Sequence, residues 1–170
     1  MDIPPRFIIH ESTHWLLNHR IDCGLPGYLI LSAKQMTHSL ATLAAPALTE
    51  LGLWQACIQQ AIETHLQPRR LYISRFGHDA GHSIHFHFIP IYPWVETLFW
   101  QDERYRSLQA FGSLETSEPQ TDGAELTLYV WREFCERPEP PARQGPSIDQ
   151  AIDVLRTALT RSVPGRASAP

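Results

Sequence analysis

A strict two-residue alternation runs through the middle of the chain: Ser83-Ile84-His85-Phe86-His87-Phe88-Ile89-Pro90. Period two is the period of a β-strand, in which residues two apart share a face. Ser83, His85 and His87 are therefore expected on one side, and Ile84, Phe86 and Phe88 on the other. So apolar a face has to be covered by other parts of the chain. Each imidazole on the opposite face needs a hydrogen-bond partner, water or a ligand. The segment thus demands a sheet with a buried side, and it sets two histidines next to each other on the other side.

The flanking sequence supplies the rest of such a sheet. Residues 7–10 and 13–18 are short runs rich in aromatic and apolar residues and read as strands. Cys23-Gly24-Leu25-Pro26-Gly27 is a turn signal, and 28–32 reads as a buried strand. Ala45-Pro46 opens a helix that runs to Leu66, with Leu48, Leu51, Leu53, Trp54, Cys57, Ile58, Ala61 and Ile62 at helical spacing. Gln67-Pro68 stops it. Strands follow over 71–76 and 84–92, joined by a polar loop at 78–82 and ended by Pro93. Two strands joined by a short loop pair antiparallel. The order predicts an α+β fold, a mostly antiparallel five-stranded sheet with a long helix on one face.

The C-terminal part reads as a helical extension. Residues 116–122 form a polar loop. Asp122 and Glu125 have capping-box spacing ahead of a helix over 125–136, although the alternation of Leu126, Leu128 and Val130 also suits a strand. A Pro-rich connector spans 138–146. Ser147 and Gln150 repeat the capping-box spacing, and Ile148, Ile152, Leu155 and Leu159 form one apolar stripe. The expected organisation is a core over 1–95, an extension over 96–162 packed on the same domain, and a disordered tail over 163–170.

With 170 residues, 43% of them apolar, the chain can build its own core without a disulfide or metal staple. A net charge of −4 argues against a dedicated duplex nucleic-acid binder, while backbone N–H groups and histidines remain able to hold a small anion. Cys23, Cys57 and Cys135 are widely spaced and read as free thiols of a reducing compartment. No signal-peptide pattern and no apolar run of about 18 residues is visible. The expectation is a soluble cytoplasmic protein without a membrane partner.

Two chemistries suit the histidine strand. Paired His at i and i+2, with His78 or His82 added, can ligate a metal, but only Asp79 stands nearby as a carboxylate and no Cys does. Alternatively, one imidazole is a nucleophile toward phosphorus and its neighbour assists.

The segment resembles the signature of the histidine-triad (HIT) superfamily, in which alternating His and apolar residues precede a short apolar pair and often Pro. Upstream, Trp15-Leu16-Leu17-Asn18, then Pro26-Gly27-Tyr28-Leu29-Ile30-Leu31 and Ala33-Lys34, are similar to the first half of that family's domain. The resemblance spans roughly residues 13–93. It implies a HIT-like fold and catalysis by His85 and His87, with Ser83 at the place of the first triad histidine. A second alignment sets Ala80-Gly81-His82-Ser83-Ile84 against the family's Gly-polar-Ser/Thr segment and makes His82 or Ser83 a phosphate contact. In the implied mechanism His85 attacks the α-phosphorus of a nucleotide or dinucleoside polyphosphate and His87 assists at a phosphate oxygen or the leaving group. Ser83 and the 78–82 loop hold developing charge. Asn18, His82 and His78 would contact substrate. No metal or other cofactor is required, and pairing into a homodimer is implied. A nucleotide-binding protein without turnover and a metal-binding module stay open beside this reading.

Overall fold

The structure is a computed structural model, and it describes residues 3–77, 81–105, 121 and 123–162. Five strands form one sheet: β1 (Ile8–Glu11), β2 (Trp15–His19), β3 (Leu29–Ala33), β4 (Arg70–Ser74) and β5 (His85–Ile91). Their spatial order is β1-β2-β3-β5-β4, and every neighbouring pair is antiparallel. This is the expected α+β sheet. The histidine strand is next to the edge, between β3 and β4, so both its neighbours can bring side chains to the imidazoles.

Both faces are covered. On one, α1 (Ala45–His65) and a final helix, α4 (Ile148–Ser162), lie over Trp15, Leu17, Leu31, Ile84, Phe86 and Phe88. Trp54, Ile58 and Ile62 of α1, together with Ile152, Leu155 and Leu159 of α4, complete this core. The Trp15 indole N–H donates to the Ala47 carbonyl at 2.9 Å and ties β2 to α1. The capping box at the start of α4 is formed in full: Gln150 N–H donates to Ser147 Oγ at 3.1 Å, and Ser147 N–H donates to Gln150 Oε1 at 2.8 Å.

The other face carries Ile89 and Ile91 under α2 (Pro93–Gln101) and α3 (Ala124–Val130). Helix α3 continues into a π-helical turn, Trp131–Glu136. Val95, Phe99, Leu126, Tyr129 and Phe134 form this second core with Cys23, Leu25 and Tyr28 from the β2–β3 turn. Gly24 N–H donates to the Phe134 carbonyl at 2.7 Å, and the sulfurs of Cys23 and Cys135 stand 2.9 Å apart. Wide spacing in the sequence hid this pairing of two thiols.

Helix α2 was not expected. Pro93 ends β5 as anticipated, but it also opens α2, because Pro at the first helical turn lacks only an N–H that would have no partner there. The helix expected over 125–136 is present as α3 and its π-helical turn, and the strand alternative falls, because Leu126, Tyr129 and Val130 are buried at helical spacing. The histidine face is roofed in part by α3, through Thr127 and Leu128. The loop over 116–122, apart from Thr121, and the tail over 163–170 lie outside the described residues, as does His78.

Candidate active site

Strand register decides which side chains meet the histidines. β2 pairs Asn18 with Ile30, and β3 pairs Ile30 with His87 and Ser32 with His85. β4 pairs Ser74 with His87 and Tyr72 with Ile89. Cross-strand partners share a face, so Asn18, Ile30, His87 and Ser74 form one row across the sheet. The β2–β3 ladder extends one step past the strands, where Arg20 N–H donates to the Tyr28 carbonyl at 2.8 Å. Arg20 and Tyr28 therefore open the next row on the same face, diagonal to His87.

This face is the floor of a cavity of about 830 Å³. His85 and His87 come from β5, Arg20 and Tyr28 from just past the ends of β2 and β3, Tyr72 and Ser74 from β4, and Thr127, Leu128 and Trp131 from the roof. The rings of Phe76 and Trp131 are 49% and 42% exposed although both line it. His82 lines it too, its ring centroid 6.5 Å from that of His85. A groove of about 840 Å³ between α1 and α4 contains one imidazole, His65, and no such cluster.

The two imidazoles lie 4.9 Å apart, centroid to centroid, edge to face. His85 Nδ1 is 2.9 Å from the Ser83 carbonyl. A carbonyl only accepts, so Nδ1 carries the proton and the neutral ring keeps its lone pair on Nε2. That nitrogen faces Gly77: a Cβ there would lie 3.7 Å from it. Gly77 has φ +75°, which favours glycine, so the strand end passes close to the His85 edge without a side chain.

His87 is bonded differently. Its Nδ1 stands 3.1 Å from the Tyr28 hydroxyl, which accepts from Arg20 Nη1 at 3.1 Å. Its Nε2 is buried and has no partner among the described residues. Burial, then the charges of His85 and Arg20, lower the His87 pKa to about 3, so the ring is neutral at physiological pH. The Phe76 ring lies 5.5 Å from it, centroid to centroid. Burial works against the Arg20 charge, but bonds to Asp22 at 2.8 and 3.1 Å and to Tyr28 outweigh it and raise its pKa. Burial pushes the Tyr28 phenol up, so it keeps its proton.

Of the residues named from the sequence, His85, His87 and His82 meet at the cavity. Ser83 does not line it. Its hydroxyl donates to the Gln35 carbonyl at 2.6 Å and accepts from Thr37 N–H at 3.3 Å. β5 begins only at His85, so the alternation that would have aimed Ser83 at the cavity has not started there. Asn18 is buried in the His87 row but off the cavity; its Nδ2 donates to the His19 carbonyl and its Oδ1 has no partner among the described residues. Arg20, Tyr28, Tyr72 and Ser74 were not anticipated. The parity Asn18–Arg20 and Tyr28–Ile30 places them on the right face, but only the register shows that they converge. Trp131, from the π-helical turn, lines the cavity. Trp94 stacks on Tyr92 at 6.0 Å and meets Phe134 edge-on, so it packs. Among the described residues no group of three His, Cys, Asp or Glu side chains is arranged to hold a metal, and no helix is long and apolar enough to cross a membrane.

No protein-family model matches the chain, and no curated protein sequence matches it. Solved structures do. A zinc-bound histidine triad family protein from Mycobacterium smegmatis superposes with a TM-score of 0.53 at 15% identity, over 93% of this chain and 86% of that one. A Hit-like protein from Bartonella henselae, involved in cell-cycle regulation, superposes with a TM-score of 0.50 at 13% identity, over 91% and 88%. The fold is HIT-like.

Proposed function

We propose that this protein is a nucleotide hydrolase or nucleotidyltransferase in which His85 Nε2 attacks the α-phosphorus of a nucleotide and forms a covalent nucleotidyl-histidine. One observation carries the reading: two adjacent imidazoles in one cavity are held by different partners, one with a free lone pair and the other with an unpartnered ring nitrogen. A nucleophile needs the first, and a charged phosphoryl group needs donors around it. The exposed faces of Phe76 and Trp131 give a planar base a surface to stack on.

The steps balance without a metal. As the Nε2–P bond forms, the P–O or P–N bond to the leaving group breaks and its electron pair departs with that group, which takes a proton from solvent. The Ser83 carbonyl keeps the Nδ1–H in place and supports the positive charge on the phosphorylated ring. Water or another acceptor then attacks phosphorus, the P–Nε2 pair returns to His85, and the acceptor proton goes to solvent. His87 serves as a neutral hydrogen-bond donor to a phosphoryl oxygen, since its low pKa leaves it one ring proton and no second one to give away as an acid. Homodimer formation is part of the same reading.

Mass spectrometry after mixing with a nucleoside phosphoramidate tests it. A nucleotidyl adduct is expected on the native protein and not on His85→Ala, with turnover falling by several orders of magnitude in that variant. Tight nucleotide binding with neither adduct nor turnover would favour a binding protein, a reading supported by the diversion of Ser83 to backbone carbonyls. Stoichiometric zinc in the purified protein, lost when His85 and His87 are both replaced, would favour a metal module.

A further inference from the structure

We propose that Arg20 and Tyr28 form a positioning relay that locks His87 in its Nε2–H tautomer and so turns it into a fixed donor toward the phosphoryl oxygens of a ligand. The argument is one of donors and acceptors. A guanidinium only donates, so the Tyr28 oxygen accepts from Arg20 Nη1 at 3.1 Å. The phenol has one proton left to place. Directed at His87 Nδ1, 3.1 Å away, it satisfies both groups and leaves a single orphan, the Nε2–H. In the opposite arrangement Nδ1–H donates to the phenol, and two buried groups are stranded: the Tyr28 proton and the Nε2 lone pair. Each buried orphan is unfavourable, so the first arrangement wins.

The relay is built into the fold. Arg20 and Tyr28 face each other one step past the paired ends of β2 and β3, and their backbones are joined at 2.8 Å. The guanidinium lies over the Tyr28 ring, 5.2 Å from its centroid. Asp22 grips the other side of the guanidinium at two nitrogens, which leaves Nη1 aimed at the phenol. The donated bond from a cation makes the phenol a stronger donor in turn. Tyr28 is 2% exposed, so water does not compete for its proton. A buried donor without a partner in the protein, at the edge of a cavity, is a donor reserved for a ligand.

The tautomer itself is independent of turnover; its catalytic consequence rests on the nucleotidyl-transfer reading above. Both are read on the whole protein. With ¹⁵N-histidine labelling, two-bond ¹H–¹⁵N spectra near pH 7 report which ring nitrogen of His87 holds the proton, and His87→Gln identifies its signals. The native protein is expected to show Nε2–H, and Tyr28→Phe a mixture or Nδ1–H. With a nucleoside phosphoramidate as substrate, Tyr28→Phe should lower kcat by about 10- to 100-fold with little change in KM, the mark of lost positioning. Arg20→Lys, which retains a charged donor, should fall less than Arg20→Ala. A native His87 found as Nδ1–H, or a tautomer unchanged in Tyr28→Phe, overturns the relay. Tautomers as expected with no adduct on the native protein would overturn the catalytic role and leave the relay standing.

Discussion

Burial and the nearby charges of His85 and Arg20 keep His87 unprotonated down to about pH 3, against 6.5 for a free imidazole. That depression is also a statement about folding. Below pH 6.5 the unfolded chain takes up a proton at this residue that the folded chain refuses until about pH 3. The stability associated with the neutral ring is thus complete above 6.5 and is lost progressively as pH falls toward 3. His19, fully buried between the carbonyls of Arg20 and Leu25, is lowered mainly by burial and adds in the same direction. His87→Gln should flatten the slope of urea midpoint against pH between 6.5 and 4; an unchanged slope would show that His87 does not carry it. Much of the site was readable at this scale. His85 and His87 stand out because strand alternation places them together and their face cannot be ordinary core. Ser83 did not follow, because its backbone leaves the strand and its hydroxyl has nearby carbonyls to bond. Arg20 and Tyr28 carry strand parity as their one local signal; their meeting with His87 depends on how three strands align.

Among the secondary-structure elements, those with a clean period were the legible ones. The stripe of α1, apart from Leu48 and Leu53, which are exposed, and the capping box of α4 appear where the pattern put them, since an amphipathic face and a satisfied helix end are local properties. Helix α2 was missed because a proline reads as a stop for the strand before it and as a start for the helix after it. Helix α3 was ambiguous because its apolar residues fit both periods, and burial against Ile89 and Phe99 settled it. How α3 meets the sheet rests on one residue. Gly123 precedes it with φ +90°, and a Cβ there would lie 2.3 to 2.6 Å from the Tyr72 ring. No ordinary side chain fits. Gly123→Ala should therefore lift the roof or push Tyr72 into the cavity, which Trp131 fluorescence and a raised KM would register. A direct backbone penalty of roughly 1–2 kcal/mol adds to this. Unchanged fluorescence, KM and melting temperature would show that this contact does not set the roof.

At the scale of the whole molecule, one sheet serves two cores. The core against α1 needs Ile152, Leu155 and Leu159, and the core around Ile89 and Ile91 needs Leu126, Tyr129 and Phe134. Neither is complete in the first hundred residues. A chain ending at Gln101 would keep all five strands, α1 and α2, yet leave both clusters part-bare. It is expected to bind a hydrophobic dye and to melt without cooperativity. A sharp, native-like melt of that fragment would mean that α3 and α4 only decorate a self-sufficient core. The resemblance in sequence, over roughly residues 13–93, covers the strands that hold the two imidazoles and stops short of the helices that enclose them, although the superposition reaches 93% of the chain. For that reason the sequence displayed the floor of the cavity and not its roof.

The late position of both covers also has a consequence in time. During synthesis His85 leaves the ribosome well before α4, 77 residues before Ser162. At roughly 5–20 residues per second, that interval lasts about 4 to 15 s. Through it the imidazole strand has α1 already made beside its apolar face, and it waits for α3 and α4 before either core can close.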